Sequence, residues 1–277
     1  LVAPVGSGSS ARVYLADDVT LRRRVAVKVL HEGLSEDDAF LRRFRAEAQT
    51  AASLNNPHVL GVYDWGHDVV PFLVTEYLGG GSLRGMLEAG ERLTLSQALL
   101  TGLEAARGLD YAHGHDLIHR DIKPANLLYD ESGRLRIADF GLARAIAEAG
   151  LTDQDGSMVG TVRYSAPEQA RGAAVDHRAD LYALGATAWR LLTSKTPFEG
   201  ATTRDILRAH FTEPVRPPSQ VVPGIPGSLD AIIVKLMAKD PNDRFASARA
   251  LGAALEESAD SSAATKSKAP LLVAGLV

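Results

Sequence analysis

Along the first eighty or so residues, apolar and β-branched runs at Arg12 to Ala16, Val25 to Leu30, Val59 to Tyr63 and Phe72 to Tyr77 are broken by turn-formers, which predicts strands. One helix interrupts them. From Ser35 to Leu54 the apolar set Phe40, Leu41, Phe44, Ala48, Ala51 and Ala52 recurs at three- and four-residue spacing, and Ser35 with Asp38 gives a Ser-x-x-Asp cap in front. The glycine-rich stretch Leu78 to Ser82 then marks a lobe boundary, beyond which the pattern turns helical. Helices are predicted at Leu95 to His115, Arg178 to Leu192, Thr202 to Phe211, Ser228 to Ala238 and Ser247 to Glu257. A short hairpin is predicted from Leu127 to Tyr129 and Leu135 to Ala138, joined by Asp130-Glu131-Ser132-Gly133.

Composition narrows the class. The 277 residues are 45% hydrophobic and 23% charged, enough for a buried core, so disorder and fibrous folds are excluded. A net charge of −4 implies no broad cationic face and argues against nucleic acid as a partner. Cysteine is absent, which removes disulfides, thiolate nucleophiles and soft-metal sites. The chain opens at Leu1 inside a strand-like run and is read as a piece of a longer protein. At the other end, Ser258 to Lys268 is small, polar and poorly patterned, like a tether. The apolar run Ala269 to Val277 is nine residues long, short of the ~20 that cross a bilayer. With Lys266 and Lys268 before it, that run is read as the start of a truncated transmembrane helix.

The chemistry concentrates in His119-Arg120-Asp121-Ile122-Lys123-Pro124-Ala125-Asn126, a loop between a helix and a hairpin that can aim a carboxylate, an ammonium and an amide at one point. Thirteen residues beyond Asn126 comes Asp139-Phe140-Gly141, a carboxylate followed by a sharp turn. Such hard oxygen donors suit Mg²⁺ bridging to phosphates.

In these motifs and their order the chain resembles the eukaryotic-type protein kinases, from about Val5 to Glu257. The resemblance implies an α+β bilobal fold, with a small, mainly antiparallel β lobe carrying one key helix (1–78) and a large, mainly helical lobe (79–257). A linker (258–268) and the apolar tail (269–277) follow. It also implies ATP as phosphoryl donor with Mg²⁺, or Mn²⁺ in its place, held by Asn126 and Asp139. Asp121 takes the place of the base that accepts the substrate hydroxyl proton, and Lys123 that of the group neutralising the transferring phosphoryl.

Upstream, Val25-Ala26-Val27-Lys28 matches the strand whose lysine binds the α- and β-phosphates, with Glu47 as its ion-pair partner. Gly6-Ser7-Gly8 through Val13 resembles the phosphate-covering loop, with Ala11 where the family usually has its third glycine, and Val13 and Ala26 beside the adenine. Thr75, Glu76 and Leu78 match the hinge that reads adenine, Thr75 being the gatekeeper.

Leu142 to Glu168 resembles the activation segment, with Thr161 facing Asp121 and Lys123. Glu168 is expected to pair with Arg244, and Asp180 to hold the catalytic-loop backbone. Thr152 and Ser157 are the candidate phosphosites, and Asp153 and Asp155 are expected to replace phosphate in part opposite Arg120. The remaining histidines, His58, His113, His115 and His210, are read as structural, and Trp65 and Trp189 as core.

Lys123 points to Ser or Thr as acceptor, and the chain is most similar to bacterial membrane-anchored Ser/Thr kinases. That similarity implies a cytoplasmic catalytic domain tethered to the inner face of the plasma membrane, a homodimer through the small lobe, autophosphorylation, and phosphothreonine-reading adaptor domains as partners. Intact Lys28, Glu47, Asp121, Asn126 and Asp139 oppose a catalytically dead scaffold. Lys123, the Ala166-Pro167-Glu168 triplet and Arg244 oppose a small-molecule phosphotransferase of the antibiotic-kinase type.

Overall fold

A computed structural model describes residues 1–7, 11–31, 38–140 and 162–267. The Ser35 cap, Gly8, Thr152, Asp153, Asp155, Ser157, Thr161 and the 269–277 tail lie outside the described residues.

Strands β1 (Ala3–Ser7), β2 (Ala11–Asp18), β3 (Arg23–Leu30), β4 (Val62–His67) and β5 (Pro71–Glu76) form one antiparallel sheet in the order β1-β2-β3-β5-β4. Its register sets Lys28 opposite Val13 on one side and Leu73 on the other, and Ala26 opposite Leu15 and Thr75. Helix α1 (Asp38–Ala52) packs its apolar stripe on this sheet: Phe40, Phe44 and Ala48 join Ala11, Leu30 and Leu73 in a small core. Burial of Phe44, only 1% exposed, is what docks α1; truncation to Ala costs about 3–5 kcal/mol. Trp65, read as core, is only half-buried and lies under Arg45, whose guanidinium carbon is 5.2 Å from the ring centroid.

The fourth strand departs from expectation. The apolar run at Val59 and Leu60 does not form a strand; both side chains are buried, Val59 makes a single parallel bridge to Ile137 and Leu60 N donates to Ile137 O. Hydrophobicity there marks the seam between lobes, and β4 begins at Val62.

In the large lobe, α2 (Leu83–Glu88) is capped by Ser82, and α3 (Leu95–His113) begins at a capping box made by Thr94 and Gln97. The hairpin of β6 (Leu127–Tyr129) and β7 (Leu135–Ile137) lies against the hinge. Gly80 N donates to Tyr129 O, and a Cβ at Gly80 would stand 2.6 Å from that oxygen, so only glycine fits this crossing. Helices α4 (Pro167–Ala170), α5 (Arg178–Thr193), α6 (Thr203–Thr212), α7 (Gly227–Leu236) and α8 (Ala248–Ser267) complete the lobe. Along α5 nearly every residue from Ala179 to Thr187 is buried, which explains its apolar character all round. Trp189 is buried as expected, and its indole N–H donates to Arg216 O.

Helix α8 runs ten residues past Glu257, through the stretch read as a tether. Alanines at 259, 263 and 264 favour helix there, and Ser258, itself buried, hydrogen-bonds Ser228 on α7. Among the described residues no helix is long and apolar enough to cross a membrane.

Candidate active site

The site lies where the sheet meets the helical lobe, and Asp180 organises it. This carboxylate, wholly buried near the start of α5, accepts from the backbone N–H of His119 (2.8 Å) and of Arg120 (2.7 Å), and its Oδ2 is 2.8 Å from His113 Nε2. These bonds hold Arg120 at φ 68°, an unfavourable conformation for a side chain of its size. Gln169 Nε2 donates to Arg120 O at 2.8 Å and ties α4 to the same loop. The expected role of Asp180 is therefore visible in its hydrogen bonds. His113, read as merely structural, also belongs to this support, and its partner 67 positions away leaves no local signature in the sequence.

His119 fixes the next layer. Its Nε2 bonds Ala138 O at 2.7 Å and its Nδ1 accepts from Asp121 N at 3.1 Å, so the imidazole joins the loop to the end of β7. Phe140 closes over it edge-on, with centroids 4.6 Å apart.

Three of the residues predicted to act together converge on one another. Lys123 Nζ is 2.8 Å from Asp121 Oδ2, and Asn126 Nδ2 donates to Asp121 O (2.8 Å) and Asp121 Oδ2 (3.0 Å). Since Asn126 is buried and its amide nitrogen is committed to Asp121, its Oδ1 is the end left for a cation.

From the small lobe, Lys28 Nζ reaches Asp139 Oδ2 at 2.7 Å. The ammonium thus pairs with the carboxylate of the Asp-Phe-Gly turn, and Glu47, the partner that the resemblance implies, sits half-buried on α1. Asp139 stands at φ 65°, a backbone conformation uncommon outside glycine. Burial raises the Asp139 carboxyl, but the charge and hydrogen bond of Lys28, helped by His119 and Lys123, outweigh it and hold the group below the usual carboxylate range. It therefore stays ionised, as a metal ligand must.

The donor set can be tested against a divalent metal. Among the described residues no group of three or more His, Cys, Asp or Glu could hold an ion. One carboxylate and one amide oxygen fit a hard cation that keeps waters and shares phosphate oxygens, as Mg²⁺ does.

The hinge begins in the last residues of β5. Thr75 is 7% exposed and bonds Glu76 O at 3.2 Å, Glu76 N donates to Gly61 O, and the Glu76 carboxylate is held by Arg136 at 3.3 Å. Behind Thr75 a narrow apolar recess runs between α1 and Phe140, lined by Ala48, Leu73, Val62 and Asp139 among others. Val13 and Ala26 stand on adjacent strands on the way to the hinge, and Gly6 and Ser7 end β1. Below the site, Arg244 grips Glu168 with both terminal nitrogens, at 2.6 and 2.8 Å, the buried pair that the sequence predicts.

The comparisons with known proteins agree with this geometry. The family model described as protein kinase domain matches residues 1–254, and the chain belongs to that family. It is 40% identical over 255 residues to the probable serine/threonine-protein kinase PknB of Bifidobacterium longum, covering 88% of this chain and 37% of that protein. It is 40% identical over 256 residues to the serine/threonine-protein kinase PknB of Mycobacterium leprae, covering 91% of this chain and 41% of that one. The chain thus spans about two fifths of the length of these curated relatives. Among solved structures, the PknI kinase domain of Mycobacterium tuberculosis superposes with a TM-score of 0.74 at 32% identity, over 94% of this chain and 95% of that one. The fold is that of a protein kinase, with a five-stranded antiparallel small lobe and a helical large lobe. Enzymes of this family use ATP and a divalent metal.

Proposed function

We propose that this chain is the catalytic part of a protein Ser/Thr kinase that transfers the γ-phosphoryl group of ATP to protein hydroxyls, its own included. The observation that carries the reading is the convergence of Asp121, Lys123 and Asn126 on one loop with Lys28 and Asp139 paired beside it. In this reading Lys28 neutralises the α- and β-phosphates, and Asn126 and Asp139 would hold Mg²⁺, or Mn²⁺. The metal, when bound, neutralises charge on the phosphates. Asp121 accepts the proton of the acceptor hydroxyl as its oxygen bonds the γ-phosphorus and the bond to the ADP oxygen breaks. Lys123 offsets charge on the transferring group, and Glu47 and Thr161 complete the site. Gly6, Ser7 and Gly8 cover the phosphates, while Val13, Ala26, Thr75, Glu76 and Leu78 enclose the adenine. Alignment and charge neutralisation supply most of the acceleration.

The membrane tether, the small-lobe homodimer and the phosphothreonine-reading adaptors are part of the same proposal and rest on resemblance. Incubation with γ-labelled Mg-ATP and a generic acceptor protein tests the activity. Label on Ser or Thr, absent from Asp121→Asn, supports it; ATP binding without any transfer contradicts it and favours a scaffold.

A further inference from the structure

Among the described residues, two guanidinium groups around Tyr164 have no acidic partner. Arg190, in the last turn of α5, donates from Nη1 to Tyr164 Oη at 2.5 Å, and Arg163 donates from Nη1 to Thr196 Oγ1 at 3.1 Å. Both are half-buried, and among the described residues neither has a carboxylate within ion-pair distance. Arg84, on the exposed side of α2, adds a third positive charge felt at the Tyr164 hydroxyl; it shares an exposed pair with Glu88. In a chain of net charge −4 such a concentration runs against the average.

Its position gives it meaning. Tyr164 lies just ahead of α4, which Gln169 ties to the catalytic loop, and α2 packs against the Pro124–Asn126 turn of that loop. The elements next to these arginines, α4 and α2, thus both contact the loop that carries Asp121, and Pro124 and Ala125, between Lys123 and Asn126, bring no charge of their own. A clasp on a tyrosine hydroxyl uses one guanidinium donor of five, whereas a carboxylate takes two in parallel.

We infer that Arg190 and Arg163, with Arg84 beside them, select acceptor segments that carry an acidic side chain next to the Ser or Thr. This rests on the kinase reading, and it adds a substrate class to it. The chemistry recognised is an anionic oxygen pair, which an Asp or Glu carboxylate supplies and a phosphorylated Ser could mimic; the inference commits to the carboxylate.

The test is a panel of peptides with one Thr acceptor and Asp, Gln, Lys or phosphoserine at the flanking positions, assayed for kcat/KM with Mg-ATP. Wild type is expected to favour Asp over Lys by about tenfold, mainly through KM. Arg190→Glu should bring that ratio to one or below. Because Arg190 also holds Tyr164, Arg163→Gln serves as a second variant and should lower the ratio as well. Polarisation binding of the same labelled peptides without ATP reads the preference independently of transfer, so failure of the kinase reading and failure of this one are distinguishable. Equal binding and turnover of Asp and Lys peptides, an unchanged ratio in both variants, or a preference confined to the phosphoserine peptide would overturn the inference.

Discussion

Lys28 Nζ and Asp139 Oδ2, 111 residues apart in sequence, stand 2.7 Å apart across the junction of the two lobes. The pair joins the cation assigned to the α- and β-phosphates to the carboxylate assigned to the metal, and against the cost of burial the Lys28 charge holds the Asp139 carboxyl below the usual carboxylate range. Replacing one partner leaves the other a half-buried charge without its mate. Lys28→Met is therefore expected to cut phosphoryl transfer by about 10²–10³. Asp139→Asn should also remove the metal dependence of nucleotide binding. Calorimetric titration of ATP with and without Mg²⁺ checks this; equal metal dependence in Asp139→Asn and wild type would contradict the assignment.

Asp180 satisfies two backbone N–H groups at once, the buried one of His119 and the partly buried one of Arg120. Asp180→Ala orphans both, at about 1–3 kcal/mol each, and frees Arg120 from its left-handed conformation. Urea unfolding should show a loss of about 3 kcal/mol or more, and transfer should fall even at temperatures where the variant is folded. A stable variant with full activity would show that the catalytic loop holds itself.

The Glu168–Arg244 pair is buried and bidentate. Breaking it from one side with Glu168→Gln is expected to cost about 3–5 kcal/mol, while the double replacement Glu168→Leu with Arg244→Met should cost less than the single change. Chemical denaturation of the two variants distinguishes a structural tie from a dispensable contact. A double replacement that costs as much as Glu168→Gln or more would contradict the expectation.

His210 gives a pH signature. It is fully buried on α6, with Nδ1 2.7 Å from Tyr182 Oη and its ring edge-on to Phe198. Burial, with the Lys239 charge adding to it and the Arg163 backbone opposing, pushes its pKa from 6.5 down to about 4. Between those values the unfolded chain binds a proton that the folded chain refuses, so stability is full above pH ~6.5 and falls as pH drops toward 4, by about 3 kcal/mol from this group. His210→Gln should flatten that part of the stability curve. An unchanged slope would place the acid sensitivity elsewhere.

How much of this was legible in the sequence depends on the range of the interaction. Helices α3 and α5 carry sustained apolar periodicity and their ends were readable to within two residues. Asp121, Lys123 and Asn126 lie within one loop, so their spacing already brought them together. Helix α2, six residues long, is too short to show a period, and the Gly-rich stretch before it hid it. Val59 and Leu60 are apolar because two lobes close on them, which a strand template cannot tell from pairing. The partner of Lys28, the service of His113 to Asp180 and the clasp of Arg190 on Tyr164 are contacts between distant segments that no local pattern encodes.

In the proposed phosphoryl transfer Asp121 and Asp139 have separate jobs. Single-turnover transfer from γ-labelled Mg-ATP, measured beside ATP binding for wild type, Asp121→Asn and Asp139→Asn, tests it most directly. Wild type should place label on Ser or Thr, Asp121→Asn should bind Mg-ATP near-normally without transfer, and Asp139→Asn should lose both transfer and metal-dependent binding. Transfer persisting in either variant at the wild-type rate would contradict it.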